Sequence, residues 1–485
     1  MEKTLDEVKE YFMSGKTKDA SWRISQLKGL LKFAKERETD IFKALKLDIG
    51  KHPVESYRDE VGPLTKDINV AMDNLASWMR GKKVKLPIAA FPTSTSLVSE
   101  PLGLVLIISS WNFPIGLSLE PLIGAIAAGN VAVLKPSELA PATSALLAEA
   151  LPKYLDENAI KVIEGGADVC DRLLQYNWDK IFFTGSPRVG QLVMTAAAKH
   201  LTPVTLELGG KCPLVLDSLP GNSWLREVAM KRIIAGKFGT CNGQVCLGVD
   251  YILVEKKLYS ELVSSLEKTI KKTLGSKPEE CVAKIVNKHH FTRLKVLLDE
   301  PRVKSSIVYG GSVMDEDKLY IEPTILVNPP LDAEIMTEEI FGPLLPVITL
   351  EHIEDSIKFI NSRPKPLSIY CFTNNDKLSK RLASETSSGT LVFNDTVIQY
   401  AADTVPFGGV GESGFGRYHG KFTFDTFSHE KTILKRSLFP DFWFRYPPWD
   451  PKKMEIFRAV YVFNYVLVVL IVLGLKKPRP LPNDI

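Results

Sequence analysis

The stretch Lys180–Gly190, KIFFTGSPRVG, decides the fold. Lys180 to Thr184 is an apolar run of strand character, cut short by Gly185 and Ser186. Pro187 has no N–H to lose and a φ suited to a first helical turn, so a helix starts there, with Gly190 close to its beginning. Strand, glycine turn and helix make half of a βαβ unit, and outward from this stretch the same alternation repeats. Leu102–Ser109 (LGLVLIIS), Val131–Leu134 (VAVL), Ala159–Ile163 (AIKVI) and Val204–Leu208 (VTLEL) read as strands, and Ala142–Leu151 between them has helical spacing. This predicts a parallel α/β sheet of dinucleotide-binding type, with ligands at the carboxyl ends of its strands.

A second α/β set is predicted from Cys212 to Asn394, with strands at Tyr251–Val254, Ile307–Tyr309, Leu344–Thr349, Leu367–Phe372 and Thr390–Phe393. Before the first sheet the chain reads as helices up to Gly81, including one over Lys28–Ala44, and a short β-rich run follows at Thr95–Glu100. At 485 residues the chain exceeds what one hydrophobic core supports, so two or three domains are expected. A net charge of +4, with both signs interspersed, provides no basic stripe for nucleic acid. Six cysteines show neither a secreted disulfide framework nor the paired spacing of a zinc site, so no metal is expected and reduced thiols are.

Four further segments carry chemistry. Gly239–Gly248 (GTCNGQVCLG) sets two cysteines among glycines, and a thiolate is a far better nucleophile than a hydroxyl near neutral pH. Leu206–Pro213 (LELGGKCP) buries one carboxylate, Glu207, in an apolar strand, where desolvation lifts its pKa towards that of a useful general base. Ser109–Pro114 (SSWNFP) offers the Asn112 amide to a developing oxyanion. Leu134–Pro141 (LKPSELAP) puts Lys135 and Glu138 just past a strand, where they can reach ribose hydroxyls. Each has a plainer reading alone: a buried structural thiol, an ion-paired glutamate, an ordinary turn, a solvated charge pair.

Together and in this order the segments resemble the aldehyde dehydrogenase superfamily from about Trp22 to His429, and its class 3 branch in particular, which includes microsomal fatty aldehyde dehydrogenases and soluble plant relatives. The resemblance implies a Rossmann-like cofactor domain (1–86 and 101–211), an α/β catalytic domain (212–394), a small β oligomerisation arm (87–100 and 395–445) and an apolar tail (446–485). It implies Cys246 as nucleophile, Glu207 as base and Asn112 as oxyanion donor. Lys135, Glu138, Gly185, Ser186 and Gly190 would hold NAD or NADP, with Glu339 and Phe341 of EEIFGP at the nicotinamide ribose and ring. Val245 stands where the family often has Thr. Cys241 adds a thiol five residues before Cys246, a candidate partner for an inhibitory disulfide.

The expected function is NAD(P)-dependent oxidation of medium- to long-chain aliphatic aldehydes, lipid-peroxidation products included, through a thiohemiacetal and a thioester on Cys246, in the service of detoxification and stress response. The alternatives are a non-catalytic cofactor-binding protein on the same fold and a cysteine thioesterase. A homodimer is implied. Ala459–Leu475 (AVYVFNYVLVVLIVLGL), flanked by Lys and Arg, is near the lower length for a membrane span, so either membrane association or a packed C-terminal helix fits. The expected location is the cytoplasm, with attachment to the cytosolic face of the endoplasmic reticulum if the tail inserts.

Overall fold

The computed structural model describes residues 1–275 and 277–479. One compact unit comprises Met1–Met79 and Glu100–His429; the second takes Arg80–Ser99 and the chain from Glu430 onward.

In the first unit, five parallel strands form the predicted cofactor sheet: β1 Leu104–Ile108, β2 Val131–Lys135, β3 Ile160–Val162, β4 Lys180–Gly185 and β5 Val204–Leu208. All of β1 and β2 is buried, which is why they read as unbroken apolar runs instead of alternating ones. The order is β5-β4-β1-β2-β3, with Gly414–Phe415 added antiparallel beside β5. The chain winds one way from β1 to β3, then returns to lay β4 on the other side of β1. This reversal opens a crevice at the carboxyl ends of β1 and β4, where an open α/β sheet takes a ligand. Asn112 and Ser186 stand just beyond those two ends.

The same unit holds a second sheet built of β6 Cys212–Leu216, β7 Val249–Glu255, β8 Ile307–Tyr309, β9 Thr324–Val327, β10 Leu344–Leu350, β11 Ser368–Phe372 and β12 Thr390–Phe393. Its order is β12-β11-β6-β7-β10-β9-β8, all parallel except the β8 edge. Two of its strands, β6 and β9, were not predicted. Pro213 argues against an interior strand; the register shift between Cys212 and Pro213 is what lets it sit there.

The single helix expected over Lys28–Ala44 is two, Ala20–Glu36 and Glu38–Ile49. Arg37 departs from helical geometry between them (φ −105°, ψ 14°), its guanidinium paired with Asp40 and Glu149.

Thr93–Pro101 and Ser428–Arg436, most of whose residues belong to the second unit, form a two-stranded sheet. The expected arm overlaps this unit, while 395–429 lies in the first. The apolar run Ala459–Leu475 is not one helix. It is shared between Pro451–Tyr461 and Tyr465–Val472, and Asn464 lies at the break, its side chain capping the N–H of Leu467. Among the described residues no helix is long and apolar enough to cross a membrane. The last six residues of the predicted tail, 480–485, lie outside those described.

Candidate active site

The segment carrying Cys246 is an irregular connection from the helix Ser223–Ile234 to β7, and its shape is set by three successive left-handed residues: Cys241 (φ 44°), Asn242 (φ 51°) and Gly243 (φ 78°). Side chains pay an energetic cost in this region, and such strain persists only where surroundings enforce it. At Gly243 a side chain is excluded outright, since a Cβ would lie 2.5 Å from the Gly342 carbonyl oxygen. Gln244 enforces the rest. Its Nε2 donates to the carbonyls of Cys241 and Lys284, 3.0 Å each, and its Oε1 accepts from Val286 N–H. The loop exit is fixed by the Tyr370 hydroxyl, which donates to the Leu247 carbonyl at 2.7 Å.

Cys246 is partly exposed, unlike Cys212, Cys241 and Cys371, which are buried. Burial of its sulfur first, then the charges of Glu339 and Glu207, push the thiol up to about 12, against the help of the backbone N–H groups of Leu247 and Cys246 itself. The resting group is therefore a neutral thiol that needs a base to become a nucleophile. Glu207, on β5 between Thr184 and Gly414, is 4% exposed, and neither carboxylate oxygen has a partner among the described residues. Burial holds its pKa well above the usual carboxylate range. A buried carboxyl with both oxygens unused is set to take a proton, not to hold the fold together.

Asn112 is 2% exposed in the turn after β1, and its side-chain N–H donates to the Gln244 carbonyl at 3.0 Å. An amide nitrogen carries two hydrogens, so one is left for an oxyanion. Through Gln244 the amide is tied to the same loop that holds the thiol.

The remaining predicted residues line up along the first sheet. Ser186 is the N-cap of the helix Pro187–Ala198, its hydroxyl accepting from Val189 N–H. Gly185 ends β4. Gly190 is buried, and a Cβ there would meet the Leu208 side chain at 2.9 Å, so its place is the close approach of that helix to β5. Lys135 ends β2, 3% exposed, with its ammonium 2.5 Å from the exposed Glu138. Glu339 lies beside Gly209 and close enough to Cys246 to raise its pKa; Glu339 itself is pushed up to about 8 by burial and by Asp250. Phe341 (φ 51°) meets Trp111 edge-on at 5.4 Å. Cys246, Glu207, Glu339 and Asn112 thus converge, while Lys135 and Glu138 stand apart at the end of β2.

Sequence reasoning gave no role to the residues that hold these groups. Lys211 pairs with Asp250 and donates to the carbonyls of Ile335 and Glu338, both at 2.8 Å, and Asp250 accepts from Ile340 N–H, so the two carry the Glu339 segment. Lys211 was visible in LELGGK; Asp250 carries no local signal. Cys241, the expected disulfide partner of Cys246, is buried and its thiol donates to the Asn112 carbonyl at 3.5 Å. All six cysteines are free.

Known proteins resemble this chain over nearly its whole length. The profile described as Aldehyde dehydrogenase family matches residues 1–433. The chain is 54% identical to aldehyde dehydrogenase family 3 member F1 of Arabidopsis thaliana over 479 residues, covering 98% of this chain and 99% of that one. Among solved structures it is similar to the substrate-bound state of Staphylococcus aureus AldH, with a TM-score of 0.91 and 42% identity over 95% of this chain and 99% of that one. It is also similar to a glyceraldehyde-3-phosphate dehydrogenase of Methanocaldococcus jannaschii complexed with NADP, with a TM-score of 0.79 and 27% identity over 90% and 94%.

Proposed function

The chain belongs to the aldehyde dehydrogenase family and is an NAD(P)-dependent aldehyde-oxidising enzyme, and on that premise we propose that Cys246, Glu207 and Asn112 do the chemistry on medium- to long-chain aliphatic aldehydes. The observation that supports this reading most is Glu207: a buried carboxyl, neither oxygen partnered among the described residues, within electrostatic reach of the partly exposed Cys246 thiol.

The Cys246 thiol loses its proton to solvent water, and the thiolate sulfur adds to the aldehyde carbon, making a thiohemiacetal whose oxyanion is held by the Asn112 amide and a backbone N–H. The nicotinamide, when bound, supplies the acceptor for the hydride that leaves as the oxyanion collapses to a thioester. The Glu207 carboxylate then takes a proton from water as the water attacks the thioester; the acyl carbon–sulfur bond breaks, the acid departs, and the expelled Cys246 thiolate takes the proton back. The residues present fit such a cofactor. The crevice lies at the sheet reversal, the helix beginning at Pro187 points its N-terminus there, and glycine at 209 keeps room beside Glu339. We assign Lys135 and Glu138 to the adenosine ribose; an exposed carboxylate at that place disfavours a 2′-phosphate, so NAD is the better substrate of the two.

The apolar tail supports the lipid-aldehyde reading. Val466, Val469 and Leu473 are exposed on or just past the helix Tyr465–Val472, and Lys476, Lys477 and Arg479 follow. This composition fits a segment lying on an anionic membrane surface, here the cytosolic face of the endoplasmic reticulum, where lipid-peroxidation aldehydes arise. A homodimer is part of the same proposal.

The test is the initial rate of NAD and NADP reduction across saturated aldehydes of increasing chain length, with Cys246→Ala as control. Efficiency rising with length and no turnover in the variant would support the reading. A preference for small polar aldehydes would discard the lipid assignment, and turnover in Cys246→Ala would discard the nucleophile.

A further inference from the structure

Residues 51–60 form a short helix, Pro53–Ser56, running into a wider turn, Tyr57–Val61, with Lys51 just ahead. Three charged side chains of this segment are buried: Lys51 and Glu60 are wholly covered, and Glu55 is 8% exposed. Charges so placed are rarely tolerated unless every one is matched, and here Lys51 and Glu60 match each other while all three side chains also bond the backbone of the catalytic loops.

The Lys51 ammonium donates to Glu60 Oε1 at 2.6 Å and to the backbone carbonyl of Asn112 at 2.9 Å, and it lies 3.9 Å from the centre of the Phe113 ring. The other oxygen of Glu60 accepts from the N–H groups of Ile115 (2.8 Å) and Gly116 (3.3 Å). Glu55 Oε1 accepts from Cys241 N–H at 2.7 Å, where the left-handed run begins. The Cys241 thiol in turn donates to the Asn112 carbonyl. Burial works against the charge on Lys51, yet the surrounding groups, Glu60 first, hold its pKa above the ordinary lysine value.

We propose that Lys51, Glu60 and Glu55 are positioning residues of the oxyanion site, fixing the Asn112 turn and the Cys241–Cys246 loop in mutual register so that the Asn112 amide meets the oxyanion built on Cys246. The proposal rests on the roles given above to Asn112 and Cys246. The logic is geometric. Asn112 has one side-chain anchor, the Gln244 carbonyl, and that carbonyl belongs to the loop being positioned. Its backbone must therefore be held from elsewhere, and Lys51 is the group that does so. Displacements of about 1 Å at such a donor cost on the order of 10²-fold in rate.

The experiment compares Lys51→Met, Glu60→Gln and Asn112→Ala, and each of the first two combined with the third, in the full chain. Four quantities are read: kcat with hexanal and NAD, NAD affinity by fluorescence quenching, the rate at which iodoacetamide alkylates Cys246, and the melting temperature. Alkylation is a displacement that makes no oxyanion, so it reports the thiol without the amide. The expected result is a fall in kcat of about 10- to 100-fold in each of the first two variants, with alkylation and NAD affinity within about twofold. In the Asn112→Ala background the additional loss shrinks to less than about threefold. Unchanged kcat in Lys51→Met and Glu60→Gln, or losses that persist in full without the Asn112 amide, would overturn the proposal. If Asn112→Ala itself keeps full kcat, the oxyanion assignment falls and this one with it, which marks that failure apart from the first. Should Lys51→Met not fold, Glu60→Gln, nearly identical in shape, decides alone.

Discussion

Glu339 lays its carboxylate so close over Gly209 that a methyl group there would overlap it. The glycine two residues past the proposed base therefore leaves room for Glu339, the carboxyl proposed at the nicotinamide ribose, and the first expectation follows from it. Gly209→Ala pushes Glu339 aside and so removes the hydrogen bond proposed between this carboxyl, mostly protonated near pH 7, and the cofactor ribose, worth about 0.5–1.5 kcal/mol. The KM for NAD should rise by about 2- to 10-fold, with kcat changed much less, as when binding common to ground and transition state is lost. Steady-state kinetics at varied NAD is the check; an unchanged KM would place Glu339 away from the cofactor.

The thiol gives the second expectation. With Cys246 pushed up to about 12, mainly by burial and next by Glu339, alkylation of the cofactor-free enzyme should be slow at pH 7. It should climb about tenfold per pH unit towards pH 10, because only the thiolate reacts. Glu339 is pushed up to about 8, so above that pH its charge opposes ionisation of the sulfur. Glu339→Gln should therefore speed alkylation at pH 9 and leave it little changed at pH 6. A rate that is flat between pH 7 and 9 would mean that the thiol is ionised already.

Glu207 gives the third. Its carboxyl is held above the ordinary range by burial, so the base form, and with it thioester hydrolysis, should gain as pH rises beyond the usual carboxylate values. Glu207→Gln should lose about 10²- to 10⁴-fold in steady turnover and lose that pH limb. A burst of reduced nicotinamide should survive, since acyl-enzyme still forms. Rapid-quench measurement shows which step fails; steady turnover in the variant would remove Glu207 from the base role.

The cofactor sheet was legible because its central strands are buried on both faces: β1 is an unbroken apolar run, β2 is one up to Lys135, and Pro187 after Gly185 marks the helix that follows β4. What stayed hidden had competing local signals. Pro213 masks β6, and the charged stretch around Arg37 reads as helix until its ion pairs draw it out of register. At the site, Cys246, Glu207 and Asn112 stand in short, unusual contexts. Lys51, Glu55 and Glu60 look like any solvated helix face, and only the tertiary fold, which carries them 61 and 186 residues along the chain to Asn112 and Cys241, makes them matter. The apolar tail misled as a single span because Asn464 prefers to cap a helix over sitting inside one.

A buried carboxyl outside the chemistry gives the last expectation. Glu120 lies in the wholly buried helix Gly116–Ala128; one oxygen accepts from the Tyr400 hydroxyl at 2.6 Å, and the other is 3.9 Å from His419 Nε2, neither of these two atoms having a hydrogen-bond partner among the described residues. Burial, then the charge of Asp67, holds Glu120 well above the carboxylate range, while burial lowers His419 to about 4. The two act in opposite directions. Above the ordinary Glu value of 4.5 the unfolded chain releases a proton that the folded one keeps, so stability falls as pH rises. Below the ordinary His value of 6.5 the unfolded chain gains a proton that the folded one refuses, down to about 4, so stability falls as pH drops, by about 3 kcal/mol over that range. Glu120→Gln keeps the Tyr400 bond and removes the first penalty, so it should raise the melting temperature by a few degrees at pH 8 and less at pH 5. His419→Gln should do the reverse, stabilising at pH 5 relative to pH 8. Scanning calorimetry of both variants at the two pH values is the measurement, and a gain from Glu120→Gln that is larger at pH 5 would mean that Glu120 is ionised and paired in the folded protein.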